Sequence, residues 1–456
     1  MDASEPSLGP VETSVKRPGP HQAASWILLA LVAFTIIAAQ FSTYVGQGGK
    51  EGEAVTWAAE QTQAEAMLWM AELSKEANPA SYKQAREGLA KQWKERENEA
   101  AESVEGAETW VPVAYELGIP IPDQAVERLK EVKGGSALYD LYSGKPTAET
   151  LDGLRKAEPD FPHRLAAYHA SQSVGEPVPA SSVFQSGRMI SLFVVFGGFI
   201  VVLSVGAVLL VVFLALAKKL PQVGYPPQGL TQAVSDRFAF RMALYLIAYF
   251  GGVIALLSAI PLALPLMVRA MIGMGLFAFV LLGLLAIPFD GMKDSIRGLI
   301  GVTDRPWRLV GAGLWAWLAV TPLVLLFALV MTQVFSWLPT PSHPTTVDIA
   351  EGSNMLDVFA TYAVAAVLAP FLEELTFRGL LFPALKRWMG WFAAAALSGL
   401  VFAAVHPQGP LLWLSLGSIG AASAVVAQYT GSLVPSFVLH AANNAAVLTL
   451  AMVVFG

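Results

Sequence analysis

Two adjacent carboxylates, Glu373 and Glu374, are the only acids between Val358 and the C-terminus, in the run Ala-Pro-Phe-Leu-Glu-Glu-Leu-Thr-Phe-Arg that ends at Arg378. Glu374 and Arg378 are i,i+4, about 40° apart on a helix, so they can pair, while Glu373 points away from that pair. Two of the six histidines follow: His406 closes Phe402-Ala-Ala-Val-His406, and His440 opens His440-Ala-Ala-Asn-Asn444. His440 and Asn444 are again i,i+4 and share a helix face. A convergent Glu/Glu/His/His/Asn cluster in an apolar shell suits activation of a water and stabilisation of an oxyanion. Desolvation is expected to make Glu373 an effective base, and Arg378 to keep Glu374 ionised.

The elements that must position these groups are membrane spans. Only 14% of residues are charged and 55% are hydrophobic, with a mean hydropathy of +0.53. That composition excludes a soluble enzyme or a disordered chain, and a net charge of -6 offers no basic footprint for nucleic acid. The chain has no cysteine, which removes disulfides, thiolate metal sites and cysteine nucleophiles. Apolar runs predict an all-α polytopic transmembrane bundle of about nine spans, at 23–45, 189–217, 242–264, 269–289, 309–338, 356–385, 391–407, 411–429 and 432–454. Basic residues in the short connections fall on one side: Lys218, Lys219, Arg237, Arg241, Lys293, Arg297, Arg305, Arg308, Lys386 and Arg387 against Arg269 alone. The positive-inside rule then places those loops and the 1–22 leader in the cytoplasm, with 23–45 as an uncleaved anchor in the cell's inner membrane.

Between the first two spans lies a polar segment, 46–187, carrying 14 of the 29 Lys and Arg. Stretches rich in Ala, Glu, Lys and Leu, broken by prolines, predict an extracytoplasmic helical domain there. His163 and His169 are i,i+6 in it and are expected at the surface. The remaining chain divides into accessory helices at 188–354 and a core at 355–456.

Depth supports the cluster. At 1.5 Å per residue, Glu373 lies about 20 Å from Lys386, His406 about 24 Å from Gly390 and His440 about 14 Å from Gly431. With ordinary tilt in a core of ~30 Å, all three can meet near mid-membrane.

Glu373-Glu374-x-x-x-Arg378, Phe402-x-x-x-His406 and His440-x-x-x-Asn444, in that order on successive C-terminal spans, resemble the three motifs of the CAAX-protease and bacteriocin-processing (CPBP) family of intramembrane proteases. The resemblance covers about 355–450, and segment 46–187 has no counterpart in the family's common core. It implies an endopeptidase in which Glu373, with His406, activates a water. His440 and Asn444 would hold the oxyanion, and Glu374 and Arg378 would tune the site. No cofactor is required on this reading, although Glu373, His406 and His440 also form an accepted His₂Glu set for Zn²⁺ or another divalent metal. The implied partners are the lipid bilayer, a membrane-embedded or lipidated protein or peptide substrate, and a protein partner for 46–187.

Three rivals differ in what they leave unexplained. A serine protease built on Gly417-Ser418-Ile419-Gly420 ignores both glutamates, and such small residues more often allow close helix packing. A proton- or ion-coupled transporter expects charges in both halves of the bundle, yet spans 189–338 contain no embedded acid. A non-catalytic binding or immunity protein has no need of the full polar set.

Overall fold

The computed structural model describes residues 20–47, 50–157, 160–225, 268–275, 300–301, 305–335, 338, 355–386, 388–406 and 408–455. Among them all regular structure is helical. Five helices are long and apolar enough to cross a membrane: α10 (Ser186–Leu216), α11 (Pro306–Val334), α12 (Met355–Leu385), a stretch Pro410–Thr430 that contains α14 (Trp413–Thr430), and α15 (Val434–Phe455) over Val434–Val454. The expected first span lies within α1 (Pro20–Gln47), whose apolar portion is Ile27–Ala39. The expected spans at 242–264 and over most of 269–289 lie outside the described residues. The span expected at 391–407 is a short helix, α13 (Trp391–Ala404), of 14 residues. It rises about 21 Å, less than the ~30 Å of a hydrocarbon core.

Small residues decide how these helices approach. A Cβ at Gly206 of α10 would collide with the Leu318 carbonyl of α11, and one at Gly313 of α11 would lie 2.6 Å from the Pro435 carbonyl of α15. Between α13 and α14, a Cβ on Gly420 would sit 2.7 Å from the Gly399 Cα. Lipid tails supply no hydrophobic drive between helices, so this close backbone contact holds them together. Gly420 therefore serves helix packing, whereas a Cβ at Gly417 would make only ordinary contact, 3.6 Å from the Gly399 carbonyl.

The polar segment folds into α2 (Lys50–Ser74), α3 (Pro79–Glu95), α4 (Glu97–Glu102), α5 (Val104–Leu117), α6 (Asp123–Arg128), α7 (Ser136–Tyr142), α8 (Ala148–Lys156) and α9 (Phe161–Ser173). Asn78, Ser103, Thr147 and Asp160 each cap the following helix through a side-chain oxygen. Its core is built on Trp57, Leu89, Trp93, Trp110, Leu138 and Phe161. Trp93 Nε1 donates to the Trp110 carbonyl at 3.0 Å and Trp110 Nε1 to that of Trp93 at 2.8 Å, so both indoles are buried with their polar atoms satisfied.

The structure corrects the expectation that His163 and His169 are surface residues: both are buried. His163 Nδ1 lies 2.8 Å from Asp160 Oδ1, and His169 bridges Glu116 Oε2 and the Tyr142 hydroxyl at 3.0 Å each. Hydrogen-bond partners are what allow an imidazole inside a core; that of His163 is the N-cap three residues before it, and those of His169 come from helices distant in sequence.

Candidate active site

Helix α12 is continuous over 31 residues but not uniform. Segments 363–368 and 375–381 are wound as π-helix, flanking the α-helical turn Ala369–Glu374 that carries both glutamates. In the first π segment the Ala369 N–H bonds the Val364 carbonyl, five residues back. The next bond in that ladder would join residue 370 to the Ala365 carbonyl, but Pro370 has no N–H. Asn444 of α15 supplies the missing donor, its Nδ2 lying 2.8 Å from the Ala365 oxygen. Such π turns shift the register of a helix and concentrate at functional sites.

The two glutamates face different neighbours. Glu374 is buried and its Oε1 lies 3.1 Å from Arg378 Nη1 and 2.9 Å from His440 Nδ1. Glu373 is the more open of the pair, its side chain 17% exposed. Its Oε2 lies 3.5 Å from His440 Nε2 and its Oε1 3.9 Å from His406 Nε2. Helices α12 and α15 and the bend after α13 thus bring Glu373, His440 and His406 together, although 67 and 33 residues of sequence separate the carboxylate from His440 and His406.

Hydrogen bonds fix the imidazole protons. His406 Nδ1 is 2.6 Å from the Phe402 carbonyl, which can only accept, so Nδ1 carries the hydrogen and Nε2 offers a lone pair toward Glu373. His440 Nδ1 likewise donates to the Glu374 carboxylate. Arg378 is fully buried, donates through Nε to the Gly420 carbonyl at 3.2 Å, and lies with Cζ 4.6 Å from the Phe402 ring centre.

Phe402 is the packing centre of the site. Its ring lies 4.4 Å from that of His406, 5.3 Å from that of His440 and 5.3 Å from that of Phe377. The motif alone gives this ring no role; its i,i+4 spacing to His406 is the signal that sequence offers. Lys386, expected in a loop, lies in the turn just past α12 and donates to the Tyr225 carbonyl at 2.6 Å and to Gln428 Oε1 at 2.7 Å. Tyr225 is buried among Leu372, Leu375 and Phe382, a long-range contact without any local pattern.

Asn444 is within reach of α12 but its amide is engaged: Nδ2 with Ala365, and Oδ1 with Asn443 Nδ2 at 3.4 Å. One amide hydrogen remains. As a metal site the set fits poorly. The ligand atoms of Glu373, His406 and His440 do not all lie within 4.8 Å of one another; among the described residues Glu108, Asp160 and His163 of the polar segment do. There, one Asp160 oxygen already accepts from both His163 N and His163 Nδ1.

Residues 355–446 match the family model described as type II CAAX prenyl endopeptidase Rce1-like. Comparison with curated proteins and with solved structures yields no match. All six residues singled out, from Glu373 to Asn444, fall inside the matched stretch, and this C-terminal region carries a domain of the CAAX protease (CPBP) family.

Proposed function

We propose that the protein is an intramembrane endopeptidase that hydrolyses a peptide bond of a membrane-associated protein or peptide. The observation that carries this reading is the convergence of Glu373 with the Nε2 atoms of His406 and His440 inside the family-matched segment. A water between Glu373 and His406 donates one hydrogen bond to each, since both present lone pairs to it. As its oxygen bonds to the scissile carbonyl carbon, Glu373 takes a proton. Glu373 then delivers it to the amide nitrogen as the C–N bond breaks, leaving an amine and a carboxylic acid that keeps the water's second hydrogen.

For His440 to act as an oxyanion donor, its Nε2 must carry a hydrogen while its Nδ1 faces Glu374 at 2.9 Å. Its Nε2–H, with the remaining amide hydrogen of Asn444, then faces the developing oxyanion. A metal-free route is favoured because the three candidate ligands do not close on a common centre. The polar segment faces the extracytoplasmic side on the charge distribution of the loops, where it is placed to meet a protein partner or substrate.

The test compares peptide termini in membranes and medium of cells producing the wild type with those producing Glu373→Ala at matched abundance. Termini specific to the wild type are expected, with cleavage falling by about 10²–10⁴ when the base is removed. They should vanish again in His406→Ala and His440→Ala and persist in the presence of chelator. Identical profiles from folded wild type and Glu373→Ala would sink the protease reading.

A further inference from the structure

α2 touches the membrane helices along one face. Thr62 Oγ1 donates to the Val454 carbonyl at the end of α15 at 2.6 Å, and Arg188, in the first turn of α10, reaches Thr62 Oγ1 at 3.3 Å. Seven residues on, Trp69 packs on Phe193 of α10 with ring centres 5.8 Å apart. From Thr62 to Trp69 is about 10 Å along α2, and from Arg188 to Phe193 about 7.5 Å along α10. The two helices therefore advance in the same sense, and α2 descends alongside the span rather than away from it.

The surface that α2 joins is one that lipid covers. Ile190, Phe193 and Val194 of α10 are 55%, 44% and 68% exposed on a helix of membrane-spanning length and composition. Leu73 follows Trp69 by one turn, about 40° round the helix and about 6 Å further along, and is 64% exposed; Met70 is 43% exposed. Beyond them the chain turns polar. Lys75 pairs with Glu72 at 3.1 Å and lies 5.5 Å from the Tyr82 ring centre. A Trp beside exposed apolar side chains, with a Tyr and a Lys–Glu pair at the same end of the helix, is the composition of a bilayer's interfacial zone.

We propose that the tip of α2, Trp69 to Lys75, is seated in the interfacial layer of the leaflet adjoining the start of α10, with Leu73 and Met70 among the acyl chains. The polar segment then has a second attachment to the bilayer besides its flanking spans, and lies against the membrane surface.

The chain has no cysteine, so Leu73→Cys gives a unique site for a nitroxide label. The full chain would be reconstituted in phosphatidylcholine nanodiscs and collision of the label with oxygen and with a water-soluble nickel chelate measured. Val194→Cys is the lipid-facing reference and Lys83→Cys, whose side chain is 78% exposed on α3, the aqueous one. The label at position 73 is expected to favour oxygen, as at position 194, with chelate collisions several-fold fewer than at position 83. Met70→Cys should behave in the same sense. A position-73 label as accessible to the chelate as that at position 83 would overturn the proposal. None of these readouts depends on proteolytic activity.

Discussion

Glu374 is held between the Arg378 guanidinium on its own helix and the His440 imidazole on α15, at 3.1 and 2.9 Å. Only the first contact was legible in the sequence, because i,i+4 pairing is a local rule, whereas 66 residues separate Glu374 from His440. The motif pairs His440 with Asn444; in the structure its two nitrogens face both glutamates. Replacing Glu374 by Gln leaves Arg378 buried without its counter-charge, a loss of about 3–5 kcal/mol by analogy with other broken buried pairs. Thermal unfolding in detergent should show it, and Glu374→Gln should lose activity as well as stability. Glu373→Gln should abolish cleavage with little change in unfolding, because Glu373 is the more open group. Gly420 gives a second residue-scale test. A Cβ there would fall 2.7 Å from the Gly399 Cα and 2.8 Å from Arg378 Nη2. Gly420→Ala should therefore cost about 1–3 kcal/mol through overpacking and shift Arg378 away from Phe402. Unchanged stability in that variant would mean that α13 and α14 are packed less closely than described.

At the scale of the element, a continuous helix from 355 to 385 was legible from its apolar length, but its two π segments were not. The proline that precedes Phe371 marks a missing donor, yet nothing nearby in sequence shows that Asn444 replaces it. The Asn444–Ala365 bond accordingly predicts a structural role that can be separated from oxyanion binding. Asn444→Ala should leave the Ala365 carbonyl unsatisfied at membrane depth and cost about 1–3 kcal/mol. Pro370→Ala restores a backbone donor, so in that background the cost of Asn444→Ala should fall, giving a positive coupling in a double-mutant cycle. Activity need not follow stability: a catalytic amide would stay essential even in the Pro370→Ala background. Additive stability changes would remove the link between the two residues. In the polar segment the same question of hidden partners arises at Glu116 on α5. Burial alone favours its neutral form, but hydrogen bonds from His169 of α9 and Arg86 of α3 outweigh that and hold its carboxyl below the usual 4.5. Its contribution to stability is thus fully present above about pH 5 and is lost as pH falls through the depressed value below 4.5. Glu116→Gln should flatten that part of the acid-unfolding curve of the tryptophan signal; an unaltered curve would show that the triad makes no contribution to acid stability.

For the molecule as a whole, the division into a polar helical segment and apolar spans was written in composition, since charge density changes abruptly near 46 and 187. The way the two parts meet was not, because it rests on a carboxylate that looks like any other surface acid of an amphipathic helix. Glu65 of α2 is fully buried. Its Oε1 lies 2.7 Å from Arg164 Nη2 of α9, and its Oε2 lies 3.6 Å from Arg188 Nη1 of α10. Arg188 in turn donates to the Val454 carbonyl at 2.7 Å, a C-terminal carbonyl of the helix that carries His440 and Asn444. Such a carbonyl has no partner within its own helix, and a cation there also meets the negative end of the helix dipole. One buried acid therefore connects the polar segment, the second span and the last helix of the protease domain. Glu65→Gln should weaken the polar segment and its docking together, by about 3–5 kcal/mol, because two arginines lose their buried counter-charge. The wild type should unfold with the polar-segment tryptophans and cleavage activity lost at one temperature. In Glu65→Gln the tryptophan signal around Trp93 and Trp110 should be lost first, with activity lost separately. If both signals still move together in the variant, the polar segment and the protease domain are coupled by contacts other than this charge cluster.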